Sequence, residues 1–186
     1  MNYNLKPKTE KILKEKKLEF TKANISDLDK IINLFEERTI WFKEHKINQW
    51  SKYLEHHPKK EFEDVIKNGY YFILKENNNI IAGFELSIDS KFWDDQTTNA
   101  YYIYKVVTKV NYKNIGKLIF MICKDIAKNN NKEYLRLDCL TKNKKLNDIY
   151  EKHGFILKHT GHQDYYSYSL REYSLNKLQK INQKNY

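Results

Sequence analysis

Along this chain the spacing of apolar residues switches repeatedly between the helical and the extended period, which no fold built from one kind of element accommodates. Leu18–Ala23 reads as a short strand. Ser26-Asp27-Leu28-Asp29 then opens a helix, with Ser26 as the expected cap and Asp27 and Asp29 suited to the positive end of its dipole. Leu28, Ile31, Ile32, Phe35 and Thr39 follow at helical spacing, Trp41–Trp50 reads as a second helical segment, and Lys60–Asn68 as a third, stopped by Gly69. From there the period is that of strands: Tyr70–Lys75, Ile80–Ile88 and Tyr101–Thr108, with Asn77–Asn79 as a hairpin turn between the first two. Ile115–Asn129 is helical again, with a stripe of Leu118, Ile119, Ile122 and Ile126. Strand Tyr134–Leu140, helix Lys144–His153 and strands Phe155–His159 and Tyr165–Glu172 complete the chain. This order predicts an α/β fold with a mixed sheet and excludes a helix bundle or a sandwich.

The 186 residues suffice for one domain, and an aromatic content of 15% is what a packed core uses rather than a disordered chain. No run approaches the ~20 apolar residues that span a bilayer, and the first residues lack the apolar stretch of a secretory signal. Cys123 and Cys139 have no metal-ligand spacing, and the six histidines form no ligand pattern, so no metal is expected and a reducing cytoplasm is. The net charge of +10 is concentrated at the ends: residues 1–17 carry an excess of four positive charges, residues 173–186 an excess of three. The expected organisation is therefore a basic N-terminal extension (1–17), one domain (18–172) and a basic C-terminal tail (173–186). Charge runs of this kind are ordinarily solvated ends, so nucleic acid is not the expected partner.

Two places could carry chemistry. The strand Tyr101–Thr108 runs through a loop, Lys109–Ile115, into a helix whose first turn contains Gly116. Free N–H groups at a helix start bind anions, and a glycine there lets a pyrophosphate approach the backbone, with Lys109, Lys113 and Lys117 around it. An ordinary strand-to-helix turn with solvated lysines fits the same spacing. The second place is Asn143, followed by Tyr150 on the same helix face and by Gly154-Phe155. A tyrosine hydroxyl in a dry cleft donates a proton to a leaving thiolate, although a core aromatic would read identically. Glu85, Asp89 and Asp138 are candidates for a base or for a carboxylate that holds an ammonium. Trp41, Trp50 and Trp93 would either wall a cleft or fill the core.

Taken together, these motifs resemble the GNAT superfamily of acetyl-CoA-dependent N-acyltransferases over roughly residues 18–172, and its small bacterial members most. The resemblance rests on Ile47-Asn48-Gln49-Trp50, Tyr104-Lys105-Val106-Val107, Leu135-Arg136-Leu137-Asp138-Cys139, Asn143 and Tyr150-Glu151-Lys152-His153-Gly154-Phe155, in that order. It implies a twisted, mostly antiparallel central sheet whose fourth and fifth strands splay, flanked by helices. It also implies that acetyl-CoA is the co-substrate and a primary amine of a small molecule or peptide the acceptor. The pantetheine arm would pair with Val106, Val107 and Thr108, and the pyrophosphate would sit on Lys113, Asn114, Ile115, Gly116 and Lys117. Asn143 would contact the cofactor arm or a water, Tyr150 would protonate the departing thiolate, and Glu85 and Trp50 would face the acceptor. Aligned on the strand and the helix, the loop is two residues shorter than the family's usual Arg/Gln-x-x-Gly-x-Gly/Ala, with Lys113 in place of the Arg and Asn114 in place of the first Gly. Aligned without that gap, Lys113 and Gly116 stay in register and Leu118 stands where a small residue belongs. A GNAT-like fold that has lost catalysis and serves as a binding or regulatory module is the alternative, and a homodimer through the last strands or the early helices is compatible with either.

Overall fold

The computed structural model describes residues 1–47, 49–50, 53–90, 92–94, 99–163 and 166–176. Asn48 of the Ile47–Trp50 motif, Tyr165 and residues 177–186 of the expected basic tail lie outside the described residues. The elements run α1 (Pro7–Glu15), β1 (Glu19–Lys22), α2 (Leu28–Glu44), α3 (Tyr53–His56), α4 (Lys59–Lys67), β2 (Tyr71–Glu76), β3 (Asn79–Ser87) and β4 (Ala100–Thr108). They continue with α5 (Ile115–Asn129), β5 (Tyr134–Leu140), α6 (Lys144–Lys152), β6 (Ile156–Gln163) and β7 (Tyr166–Ser174). The strands are hydrogen-bonded in the order β1-β2-β3-β4-β5-β7-β6. Pairs β1–β2, β2–β3, β5–β7 and β6–β7 are antiparallel, and β4–β5 is parallel. The expected α/β fold with a mixed sheet is the one observed. The β4–β5 register runs from Ala100↔Tyr134 to Ile103↔Leu137 and stops there, although β4 continues to Thr108.

The chain divides into two compact units. One comprises Lys6–Leu86 and Tyr104–Ile119, the other Met1–Leu5, Ser87–Ile103 and Phe120–Tyr186. In the first, α2 and α4 lay an apolar stripe on β2 and β3. Ile31, Phe35, Phe62, Tyr71 and Ile73 are fully buried, and Ala23, Leu28, Leu34, Ile66, Ile80 and Val107 complete the cluster. Burying each of the large side chains removes enough apolar surface to contribute ~2–3 kcal/mol. Gly83 on β3 makes room in this core: a Cβ there would lie 2.7 Å from the Tyr71 ring. In the second unit, Ile122 and Ile126 of the predicted α5 stripe are buried, as are Phe120, Leu135, Leu137, Phe155 and Leu170. Phe155 packs against Phe120 and Tyr173, with ring centroids 5.4 and 5.6 Å away.

Three local expectations are corrected. Asn24, not Ser26, caps the start of the early helices. Its side chain accepts from Ser26 N while Asp27 accepts from Asn24 N, a reciprocal box that closes one 3₁₀ turn before α2 begins. Trp41–Trp50 is not a separate helix: no glycine, proline or cap interrupts Leu28–Glu44, so α2 propagates through Trp41. It ends where Lys46 turns left-handed at φ 53° and Ile47 N–H reaches back to Phe42 O at 2.9 Å. Part of the lysine-rich segment 1–17 is helical. Pro7 starts α1, which buries Thr9 and Leu13, one turn apart, and exposes its lysines.

Candidate functional site

The strand-to-helix segment lies in the unit that holds Tyr104–Ile119. Lys105 kinks β4: its φ of 44° is one that side-chain-bearing residues seldom adopt, and it is held from three sides. The Tyr71 hydroxyl donates to Lys105 O at 3.1 Å, and the Lys105 ammonium lies 2.7 Å from Glu85 and 2.8 Å from Glu61. Glu61 in turn meets His57 Nδ1 at 3.0 Å. The hydrogen bond with His57, helped by the Lys105 ammonium, holds Glu61 at about 2 against the opposing effect of burial. Burial disfavours the charged form of Lys105, but the two carboxylates outweigh it and its pKa is raised. Glu85 is therefore a buried ion-pair partner, not a solvent-facing strand residue.

Beyond the kink, Val107 packs into the core, while Val106 and Thr108 are half-buried. Thr108 O is taken by the Arg38 guanidinium, with Nε at 2.9 Å, and Arg38 Nη2 also reaches Thr108 Oγ1 at 2.9 Å. Of Thr108's backbone groups, the carbonyl is thus committed. Lys113, Asn114 and Lys117 are exposed and Ile115 is buried. Asn111 and Asn114 take left-handed conformations (φ 73° and 64°), which asparagine adopts more readily than other side-chain-bearing residues. Gly116, in the first turn of α5, has a φ outside the left-handed range, and a Cβ built on it meets nothing within 4 Å. Neither backbone conformation nor packing calls for glycine there. A cavity of about 330 Å3 adjoins the loop, lined by Lys16, Glu76, Tyr112 and Lys113 among others. Trp50 lies against Phe35 and Phe42, centroids 5.2 and 5.3 Å apart, as part of the core.

Tyr150 lies in the other unit, where β5, α6 and β7 converge. Asn143 caps α6, its side chain accepting from Leu146 N at 3.0 Å. One turn on, Asn147 is buried and fully engaged. It donates to Leu140 O and Asn143 O and accepts from Arg171 Nε at 2.9 Å and Cys139 Sγ at 3.3 Å. Tyr150 follows on the same side of the helix, its ring against Phe120 and Phe155. It is 9% exposed, and burial, followed by the negative charge potential of Cys139 and Asp138, pushes its pKa up, while Arg171 pulls it down. Asp138 accepts from the Tyr166 hydroxyl at 2.7 Å. Burial raises the Tyr166 pKa strongly and carries the Cys139 thiol to about 12. Burial thus keeps the Tyr150 hydroxyl protonated, the state a proton donor needs. Gly154 ends the helix at φ 87°, as its place after His153 predicts. Sequence reasoning found Asn143, Tyr150 and Asp138 but missed Asn147, Arg171 and Tyr166, which lie on elements where nothing in the spacing sets them apart.

The family model for the acetyltransferase (GNAT) family matches residues 31–155, and the chain belongs to that family. It is an acyltransferase of the acetyl-transferring class, a family that uses acetyl-CoA. Solved structures share the fold. A GNAT-family acetyltransferase from Listeria monocytogenes superposes with a TM-score of 0.72 at 20% identity, covering 84% of this chain and 94% of that one. The PaiA N-acetyltransferase from Thermoplasma acidophilum, determined in complex with coenzyme A, gives 0.65 at 19% identity over 84% and 98%. A GNAT-family acetyltransferase from Streptococcus agalactiae gives 0.67 at 16% over 84% and 95%. No curated protein matches in sequence. Among the described residues no helix is long and apolar enough to cross a membrane.

Proposed function

We propose that this chain transfers the acetyl group of acetyl-CoA directly to a primary amine of a small molecule or peptide in the cytoplasm. The observation that carries this reading is Gly116. A glycine in a helical turn costs up to ~1 kcal/mol relative to alanine. Here neither a positive φ nor a close neighbour explains it. An approaching pyrophosphate does, because it needs the bare backbone and the free N–H groups at the start of α5. In this reading Lys113, Asn114, Ile115, Gly116 and Lys117 hold the pyrophosphate, and the backbone of Val106, Val107 and the Thr108 N–H pairs with the pantetheine arm. Asn143 orders the start of the helix that carries Tyr150. Bound acetyl-CoA supplies a thioester carbonyl open to attack by an amine.

Tyr150 gives its hydroxyl proton to the departing sulfur; burial keeps that proton in place beforehand. The buried Lys105–Glu85–Glu61 cluster fixes the kink in β4, so the backbone groups beyond it are preorganised rather than ordered on binding. The test is a thiol-release assay with acetyl-CoA and a panel of primary amines, from diamines and amino acids to short peptides. Amine-dependent release of CoA thiol with one mole of N-acetylated product per mole of thiol supports the reading. Release that no amine accelerates overturns the acceptor assignment.

A further inference from the structure

The chain contains three arginines against 31 lysines, so a guanidinium is the exception among its cations. Arg136 has the partner expected of a buried arginine: Glu172, at 2.9 Å from Nε and 2.8 Å from Nη2. Arg171 does not. It is 7% exposed on β7, and the groups that hold it are neutral: Asn147 Oδ1 at 2.9 Å from Nε and Phe155 O at 3.3 Å from Nη1. Among the described residues no carboxylate forms an ion pair with it. A buried charge without a counter-charge is costly, and it persists where an anion completes it during function. Its two anchors bracket Tyr150. Asn147 lies one turn before Tyr150 on α6, and Phe155 closes the turn after it, donating its N–H to Tyr150 O at 3.0 Å.

We propose that Arg171 is a positioning residue, a buried cation that stabilises the negative charge formed on Tyr150 during acetyl transfer. The inference rests on the proposed role of Tyr150 as acid. In the step it serves, the amine nitrogen bonds to the thioester carbonyl carbon, the C–S bond breaks and its electron pair leaves on sulfur. The Tyr150 proton passes to that sulfur, a phenolate remains on Tyr150, and the proton shed by the acylated nitrogen restores the hydroxyl. The Asp138 carboxylate on β5, which accepts from the Tyr166 hydroxyl, opposes the phenolate electrostatically, and Arg171 is the one cation among the groups that act on Tyr150 in this cluster.

The test combines a titration that needs no turnover with steady-state kinetics. Trifluorotyrosine incorporated at position 150, which ionises far below tyrosine, is titrated by 19F NMR in the full-length protein, with Arg171 intact and as Arg171→Gln and Arg171→Lys. Arg171→Gln is expected to raise its ionisation by about one pH unit, and Arg171→Lys by less. With tyrosine at position 150, Arg171→Gln is expected to lower kcat on the order of tenfold with the KM for acetyl-CoA unchanged, the equivalent of that shift. An ionisation that does not move in a folded Arg171→Gln protein overturns the inference. So does a shift with kcat unaltered, or an equal kcat loss in both variants, which would mark a hydrogen-bonding role. Failure of the underlying reading is distinguishable: Tyr150→Phe would then keep wild-type turnover, whatever the titration shows.

Discussion

Replacing Gly116 with alanine adds one methyl group at a position where the structure leaves open space. A Cβ there has no heavy atom within 4 Å, and the backbone is outside the left-handed region, so the folded protein accommodates it without strain. Alanine also restricts the unfolded chain, and the two effects together predict stabilisation by ~0.5–1 kcal/mol. For a chain of this length that raises Tm by about 1–4 °C, readable by differential scanning calorimetry. The same methyl occupies the approach of a pyrophosphate to the N–H groups of the first turn of α5. Displacing the anion there forfeits at least one charge-assisted hydrogen bond, worth ~1.5–3 kcal/mol, or a rise in Kd for CoA of about 10- to 100-fold. Isothermal titration of both proteins with CoA measures it. The opposite signs are the test, because ordinary damage would weaken fold and binding together. A destabilised Gly116→Ala protein would refute the packing argument, and a stabilised one that binds CoA as tightly as the parent would refute the assignment of this helix start to the pyrophosphate.

Other consequences are as direct. Tyr150→Phe is expected to lower kcat by about 10²-fold or more while leaving CoA affinity intact, as rapid-quench and binding measurements would separate. Lys105→Met leaves Glu85 and Glu61 without their shared cation, and unfolding in urea should show a loss of ~3–5 kcal/mol. Glu61 is held at about 2 in the folded protein against an ordinary 4.5, so it binds its proton more readily when unfolded. Its contribution to stability is therefore present above pH ~4.5 and lost as pH falls towards 2, and Glu61→Gln should flatten the stability profile across that window. As the Glu61 side chain is about one-third exposed, solvent screening keeps this effect small.

Much of the fold was legible because period alone decides it. The limits of α5 and β5 were readable to the residue, since a polar turn ends each apolar pattern. Gly69, Gly154 and the Asn77–Asn78 turn sit at positive φ, where their residue types point. What was hidden is the wiring across elements. Trp41–Trp50 reads as a helix of its own, yet only a breaker could end α2 before Trp41, and Leu28–Glu44 holds none. Leu13 and Thr9 were buried positions obscured by lysines. Glu85, Lys105 and Glu61 come from β3, β4 and α4, and Asn147, Arg171 and Cys139 from α6, β7 and β5. Charges and amides that meet only in the folded state leave no local spacing to read. Lys105 in particular reads as an ordinary strand lysine. Its left-handed conformation follows from Tyr71, Glu85 and Glu61, and the Tyr71 ring fits because Gly83 lacks a side chain.

The central claim is that the loop turned by Asn114 and leading into Gly116 holds the phosphates of acetyl-CoA. Calorimetric titration of the purified protein with acetyl-CoA, and separately with CoA, tests it most directly. The account predicts saturable one-to-one binding of both ligands with micromolar Kd, weakened by salt as a phosphate contact requires. No detectable heat or saturation at millimolar ligand would contradict it.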